Sequence, residues 1–220
     1  MSEQKRITRR RFLALAGGAA GVTAAACLGL TALGTRQPAV EFAETSCGNK
    51  SDVSDKVLVA YASRCGSTGG VAEAIGEVLC EGGVAADVRL AKDVTDLSGY
   101  QAVIVGSAIR MGAWLPEAMK FVETHQDVLS RIPVAYFAVC MTLEEDTEEN
   151  RRTVAAYLDP IRERVQPVDV GLFAGAMDYN KLPFIYRLIV KALKSPEGDF
   201  RDWDAIRAWA ANARPALLSA

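Results

Sequence analysis

Hydroxyl and glycine residues follow a short apolar run in the segment Tyr61–Gly70, YASRCGSTGG. The run before them, VLVAYA, is typical of a buried strand, and VAEAIGEVLCEGG after them has helical spacing. A turn that leads from a strand into a helix offers free backbone N–H groups and the positive end of the helix dipole. Gly66 permits a tight turn, and the neighbouring hydroxyl groups are additional donors. The pattern predicts a phosphate cradle. Its candidate residues are Ser63, Arg64, Cys65, Gly66, Ser67 and Thr68.

This segment differs from two common phosphate-binding motifs. No lysine follows the glycines, as a Walker loop requires, and the glycines do not have the GxGxxG spacing of a dinucleotide-binding turn. The structural alternative is an ordinary glycine turn with hydroxyl groups that cap the helix.

The rest of the chain alternates between predicted strands and predicted helices. The apolar runs KVLVAYA, AVIV and VAYFAV are typical of strands that are buried on both faces. Five strands are predicted, at 56–62, 84–90, 102–105, 134–139 and 168–174. Four helices are predicted between and after them, at 68–81, 116–129, 148–165 and 201–218. The alternation indicates an α/β fold with a doubly wound, five-stranded parallel sheet, whose ligands bind at the carboxyl ends of the strands. An additional amphipathic helical segment is predicted at 182–194.

Three segments resemble a known family. They are YASRCGST, AKDVTDLSGYQAVIVGSAIRMGAW and SPEGDFRDWDAIRAWA. They resemble the flavodoxin-domain branch that includes the menaquinone-dependent protoporphyrinogen oxidases, and the resemblance extends over residues 56–220. It implies a flavodoxin-like fold with strand order 2-1-3-4-5 and non-covalently bound FMN, whose phosphate lies in the cradle. The family loop usually has a hydroxyl residue where Cys65 stands.

The resemblance also implies which residues line the flavin ring. They are Ser107, Ala108, Ile109, Arg110, Met111, Gly112 and Trp114 on one side, and Cys140, Met141 and Thr142 on the pyrimidine side. For Trp114, stacking on the ring and packing in the core are both open. No side chain is assigned a catalytic role, because the flavin carries the electrons. No metal site is expected.

The N-terminal residues have the features of an export signal. A basic head precedes 24 uncharged residues, Phe12 to Thr35, which are enough to span a bilayer. The sequence TRRRFL, residues 8–13, resembles a twin-arginine signal. An ordinary membrane anchor with basic flanks is the alternative. We expect residues 1–34 to be a signal or anchor, 35–55 a linker, and 56–220 the folded domain.

The sequence is compatible with three fates of the signal. The sequence Ala24–Cys27 resembles a lipoprotein cleavage site with Cys27 as the lipidated residue. Cleavage after Gly34 and retention as an anchor are the other outcomes. In each case the domain is expected on the extracytoplasmic face of the membrane or in the periplasm.

Charge and family resemblance together restrict the function. Residues 35–220 carry 20 basic and 26 acidic side chains, and this net charge of −6 argues against a nucleic-acid partner. The expected function is electron transfer between a donor and a quinone, such as menaquinone, or a redox protein partner. A protoporphyrinogen oxidase and a non-catalytic binding module are the alternatives. Export argues against the porphyrin reaction, because that substrate is normally handled in the cytoplasm.

Overall fold

The computed structural model describes residues 40–48, 56–192 and 195–219. The predicted signal or anchor and most of the predicted linker lie outside these residues. The described chain belongs to two units. One consists of residues 40–178 with 196–219, and the other contains the segment 179–195.

The larger unit is built on a seven-stranded sheet. Its strands are β1 (Thr45–Cys47), β2 (Lys56–Ala62), β3 (Ala85–Leu90), β4 (Ala102–Arg110), β5 (Ala113–Trp114), β6 (Val134–Val139) and β7 (Asp169–Phe173). The order is β1-β3-β2-β4-β6-β7, and β5 pairs with β4. The five neighbouring strands β3, β2, β4, β6 and β7 are parallel. Their order is the predicted order 2-1-3-4-5. A separate antiparallel pair is formed by β8 (Ala176–Met177) and β9 (Gly198–Asp199).

The sheet has one edge strand more than expected. Thr45–Cys47 lies within the predicted linker, yet it pairs antiparallel with β3. A strand of three residues has no alternating pattern that would reveal it in the sequence. The ordered domain therefore includes residues that precede Lys56.

Helices cover both faces of the sheet. The helices of the larger unit are α1 (Ser67–Glu81), α2 (Pro116–Thr124), α3 (Gln126–Leu129), α4 (Glu148–Ala156), α5 (Asp159–Arg162) and α7 (Trp203–Leu218). Helix α1 has Val71, Ile75 and Leu79 on its buried face, at a spacing of four residues. It ends at Gly82 and Gly83, and Gly83 has the positive φ of +83° that is common just after a helix.

The alternation of β2 side chains separates two cores. Val57, Val59 and Tyr61 pack with α1 and α7 in one core. Leu58 and Ala60 pack in the other core, which includes buried side chains of α2 and α4. Strand β2 is therefore buried on both faces, as its continuous apolar composition predicts.

The segment 179–195 contains the additional helix. Helix α6 spans Phe184–Ala192, inside the predicted range 182–194. Its side chains Phe184, Leu188 and Ile189 are exposed, and the ammonium group of Lys191 lies 5.3 Å from the centroid of the Tyr179 ring.

A buried carboxylate connects β3 to its surroundings and makes stability depend on pH. Asp87 accepts from the Lys56 ammonium at 2.6 Å and from the Tyr100 hydroxyl at 2.7 Å. Burial raises the pKa of Asp87, but the hydrogen bonds from Lys56 and Tyr100 outweigh it, so the pKa is below its usual value. The contribution of Asp87 to stability is therefore complete above the unfolded-state pKa of about 3.9 and is lost as the pH falls toward the folded-state pKa.

We expect Asp87→Asn to lower the free energy of unfolding at pH 7 by about 2 kcal/mol, because the ammonium of Lys56 loses its ionic partner. The difference from wild type should shrink below about pH 4, where Asp87 is protonated in the unfolded state. Urea unfolding at a series of pH values measures both. Asp93→Asn is the control, because its side chain is 54% exposed and its ion pair with Lys92 is long, at 3.9 Å. An equal loss at pH 7 and pH 3 would contradict the assignment.

Candidate functional site

The turn between β2 and α1 has the conformation of an anion cradle. Strand β2 ends at Ala62, and Gly66 is the N-cap residue of α1. Gly66 has φ +86°, a left-handed conformation that a side chain would strain. The N–H groups of the first turn of α1 have no acceptor within the helix, so they are available to a ligand. The local backbone is therefore suited to a bound phosphate.

One buried hydroxyl at this turn has no partner. The Thr68 side chain is fully buried, and its Oγ1 makes no hydrogen bond within the described structure. A buried hydroxyl without a partner costs free energy, so its retention indicates a ligand that accepts from it. The Ser63 hydroxyl accepts from the Gly66 N–H at 3.0 Å and lies at the same turn. These donors fit the phosphate of FMN.

Arg64 and Cys65 also lie in the turn, as predicted. The Arg64 guanidinium forms an ion pair with Glu117 of α2 at 2.8 Å. This contact joins the cradle to the helix that follows β5. Cys65 is half-buried and lies outside the disulfide. The positive charge of Arg64 is therefore paired with the Glu117 carboxylate beside the cradle.

The predicted ring-side segment forms a hairpin. Strand β4 continues through Ser107, Ala108, Ile109 and Arg110, and it turns at Met111 and Gly112 to pair with β5. Both turn residues have positive φ, 53° for Met111 and 74° for Gly112, as a type I′ hairpin turn requires. The Met111 side chain is 97% exposed at the tip.

The hairpin is held at its base by a buried hydroxyl. The Ser107 hydroxyl accepts from the Leu115 N–H at 2.9 Å and donates to the Ala108 carbonyl at 2.9 Å. The Ser107 hydroxyl has therefore used its donor and one of its two acceptor positions. One acceptor position remains for the predicted contact with the ring. The backbone of β4 beyond Ser107 is the part that is placed to approach a ring.

Trp114 occupies the core, which is the second of the two alternatives left open by the sequence. It is 4% exposed, and its ring centroid lies 5.3 Å from that of Tyr136 in an edge arrangement. An aromatic side chain that stacks on a bound ring must be accessible from the ligand side. Stacking of Trp114 on the flavin is therefore not supported by its position, because β5 turns the side chain inward.

The third segment continues from β6. Cys140 is buried, and its thiol donates to the Thr142 hydroxyl at 3.3 Å. Met141 begins a short 3₁₀ turn, Met141–Glu144. The turn exposes Thr142 while Cys140 stays in the core, so the three predicted residues differ in accessibility.

The sheet brings the three segments to one edge. Strands β2, β4 and β6 are parallel neighbours, and Ala62 is in register with Ser107 while Ala108 is in register with Val139. The residues after these positions must therefore meet at the carboxyl edge of the sheet. The cradle, the hairpin and the Cys140–Thr142 segment together form the candidate site.

Sequence reasoning missed Arg201. Its guanidinium donates to the Ser67 carbonyl at 3.3 Å and to the Asp199 carboxylate, and it lies 4.3 Å from the centroid of the Trp203 ring. Only 16% of the Arg201 side chain is exposed. A cation from the segment before α7 thus supports the first residue of α1. The family-like segment SPEGDFRDWDAIRAWA contains Arg201, but nothing in that sequence points to the cradle.

We expect Arg201→Ala to weaken FMN binding about tenfold, because a hydrogen bond from a charged group that holds the cradle is lost. Titration of flavin fluorescence measures the dissociation constant. Arg131→Ala removes an exposed arginine and is the matched control. Equal affinities for FMN in the two variants would show that Arg201 does not support the cradle.

Curated relatives are similar in sequence to part of this chain. A protoporphyrinogen IX dehydrogenase [quinone] from Leishmania major is 28% identical over 173 residues, which is 72% of this chain and 74% of the relative. A protein of the same name from Escherichia coli K12 is 23% identical over 165 residues, which is 69% of this chain and 90% of the relative. A solved flavodoxin from the domain Archaea has a TM-score of 0.47 and 20% identity, with 74% of this chain and 98% of that chain covered.

A family match covers most of the larger unit. The family described as Flavodoxin domain matches residues 58–204, from β2 to the start of α7. This range includes the cradle, the hairpin and the Cys140–Thr142 segment. With this match the predicted flavodoxin-like fold and FMN as the cofactor are confirmed, and the chain belongs to the flavodoxin domain family.

Proposed function

We propose that this chain is an exported FMN-dependent redox protein that transfers electrons between a donor and a quinone or a protein partner. The observation that carries the proposal is the buried Thr68 hydroxyl without a partner, beside the left-handed Gly66, where α1 begins. The site lies at the carboxyl edge of a parallel sheet, where ligands of such folds bind.

Bound FMN would supply the electron chemistry, and the residues of this chain would bind and orient it. Thr68 and the first-turn N–H groups would hold the phosphate. The β4 backbone and the Met141 turn would border the ring. The Met111 side chain, 97% exposed at the hairpin tip, would stand where a small apolar partner approaches.

Export is supported by two separate features. The basic and apolar N-terminal sequence resembles a twin-arginine signal. Cys47 and Cys80 form a disulfide, and disulfides persist mainly in oxidising compartments outside the cytoplasm. Among the residues that the structure describes, no helix is long and apolar enough to cross a bilayer. The proposed membrane association rests on the N-terminal sequence, in which a basic head precedes 24 uncharged residues.

The names of the curated relatives favour a quinone as the electron acceptor. They also support the second candidate, a protoporphyrinogen dehydrogenase of the quinone-dependent type. A basic redox protein is the alternative to a quinone as the electron-transfer partner. The exposed acidic residues Glu144, Glu145 and Asp146 lie close in the chain to Thr142, and their field would steer such a protein.

The test uses the full chain, purified in detergent and loaded with FMN. The flavin is reduced without oxygen, and it is then mixed with menadione, a soluble quinone, or with oxidised cytochrome c. Reoxidation by menadione that saturates with concentration is the expected result, with free reduced FMN as the control. Oxidation of protoporphyrinogen by the protein with oxidised FMN, with menadione as the terminal electron acceptor, would favour the second candidate. Reoxidation no faster than for free FMN with both acceptors would contradict the proposal.

A further inference from the structure

A segment that precedes the family match lies against the cradle. Residues Val40–Cys47, called the strap here, come before the matched range 58–204. Contacts at its beginning, middle and end connect it to the cradle, to the buried core and to α1.

The first residues of the strap pack beside Gly66. A side chain carbon built at Gly66 would lie 3.2 Å from Val40 Cγ1 and 3.4 Å from the Glu41 carbonyl oxygen. The strap therefore occupies the space next to the residue whose left-handed conformation shapes the cradle. Movement of Val40 away from Gly66 would expose that turn to solvent.

The middle of the strap is hydrogen-bonded to a core residue under the cradle. The Tyr61 hydroxyl donates to the Ala43 carbonyl at 2.9 Å. A side chain carbon built at Gly69 would meet the same hydroxyl at 3.0 Å, so Tyr61 lies between the strap and the first turn of α1. Phe42 packs on the core that contains Tyr61.

The end of the strap is fixed by pairing and by a covalent bond. Strand β1 pairs with β3, and the Arg89 guanidinium donates to the Thr45 carbonyl at 3.0 Å and to the Ser46 hydroxyl at 2.6 Å. Cys47 is joined to Cys80, near the C-terminal end of α1, with their Cα atoms 6.1 Å apart. Both ends of α1 are therefore connected to the strap.

We propose that the strap supports the phosphate cradle and that the Cys47–Cys80 disulfide locks it in place. The proposal rests on the proposed function for the identity of the ligand and for the oxidising compartment. When the disulfide forms, the two thiols lose two protons and two electrons to a disulfide donor, which is reduced to two thiols. Without the disulfide, the strap must be ordered each time the phosphate binds, and this ordering reduces the affinity for FMN.

The experiment compares FMN with riboflavin, which lacks the phosphate. Both dissociation constants are measured by flavin fluorescence for the full chain in detergent, for Cys47→Ser/Cys80→Ser, and for the wild type reduced with a phosphine. We expect the preference for FMN to fall about fivefold in the double variant and in the reduced wild type, with riboflavin affinity unchanged. General unfolding would weaken both ligands equally. Peptide mapping without reductant should show Cys47 linked to Cys80.

A second pair of variants tests the contact between Val40 and Gly66. Val40→Ala removes the methyl groups beside Gly66, and Val128→Ala, at an exposed position, is the matched control. The FMN preference should fall in Val40→Ala only. Unchanged preference in the double variant and in Val40→Ala would overturn the proposal while FMN binding by the wild type leaves the proposed function intact. A wild type that binds no flavin would overturn both.

Discussion

Replacement of Thr68 by valine should weaken FMN binding roughly 10- to 100-fold, because a hydrogen bond to a charged phosphate contributes about 1.5–3 kcal/mol. The same change should leave the stability of the ligand-free protein unchanged or raise it by about 1 kcal/mol. The reason is that Thr68 Oγ1 is buried without a partner, and removal of an unpaired polar group relieves its desolvation cost. Flavin titration and urea unfolding measure the two effects.

The control for Thr68→Val is Thr153→Val, the same change at an exposed position of α4. It should alter neither FMN affinity nor the shape of the titration. Riboflavin binding should also be the same in Thr68→Val and in wild type. If Thr68→Val binds FMN as tightly as wild type, the hydroxyl does not contact the phosphate and the cradle is only a helix cap.

Replacement of Gly106 by alanine should lower the free energy of unfolding by about 3 kcal/mol through overpacking. Gly106 lies in β4 between β2 and β6, and a side chain carbon there would overlap the Phe137 ring. The ring cannot move aside easily, because its centroid lies 6.4 Å from those of both Phe173 and Trp209. Urea denaturation measures the loss.

A double-mutant cycle identifies the cause of this loss. If the overlap with Phe137 is responsible, Phe137→Leu should make Gly106→Ala less costly by at least about 1 kcal/mol. Gly99→Ala is the control, because Gly99 has open space around it and a positive φ of +97°. Its cost, about 1 kcal/mol, should come from backbone strain alone. Additive effects of the Gly106 and Phe137 changes would rule out the steric explanation.

The parts of the fold that follow from local pattern were predictable. Strands β2 and β6 are continuous apolar runs, and burial on both faces requires such a composition. Helix α1 repeats its apolar residues every four positions, and the glycines that follow it mark its end. The cradle was predictable for the same reason, because its hydroxyls and glycine are consecutive in the chain.

The parts that depend on distant residues were not predictable. Arg201 reaches a carbonyl that is 134 residues earlier in the chain. The Cys47–Cys80 pair spans 33 residues, and neither cysteine lies in a motif that indicates a partner. Trp114 was ambiguous because an aromatic residue after a strand suits both a ring contact and the core, and the direction of β5 decides between them.

The visible absorption spectrum of the purified full chain, with the mass of the released cofactor, tests whether the protein binds FMN. We expect the two absorption bands of oxidised flavin and one FMN per chain, bound without a covalent link. If the protein as purified is colourless, added FMN should restore the bands. A protein that has no flavin and does not bind added FMN would show that the turn from Ser63 to Thr68 does not hold the phosphate of FMN.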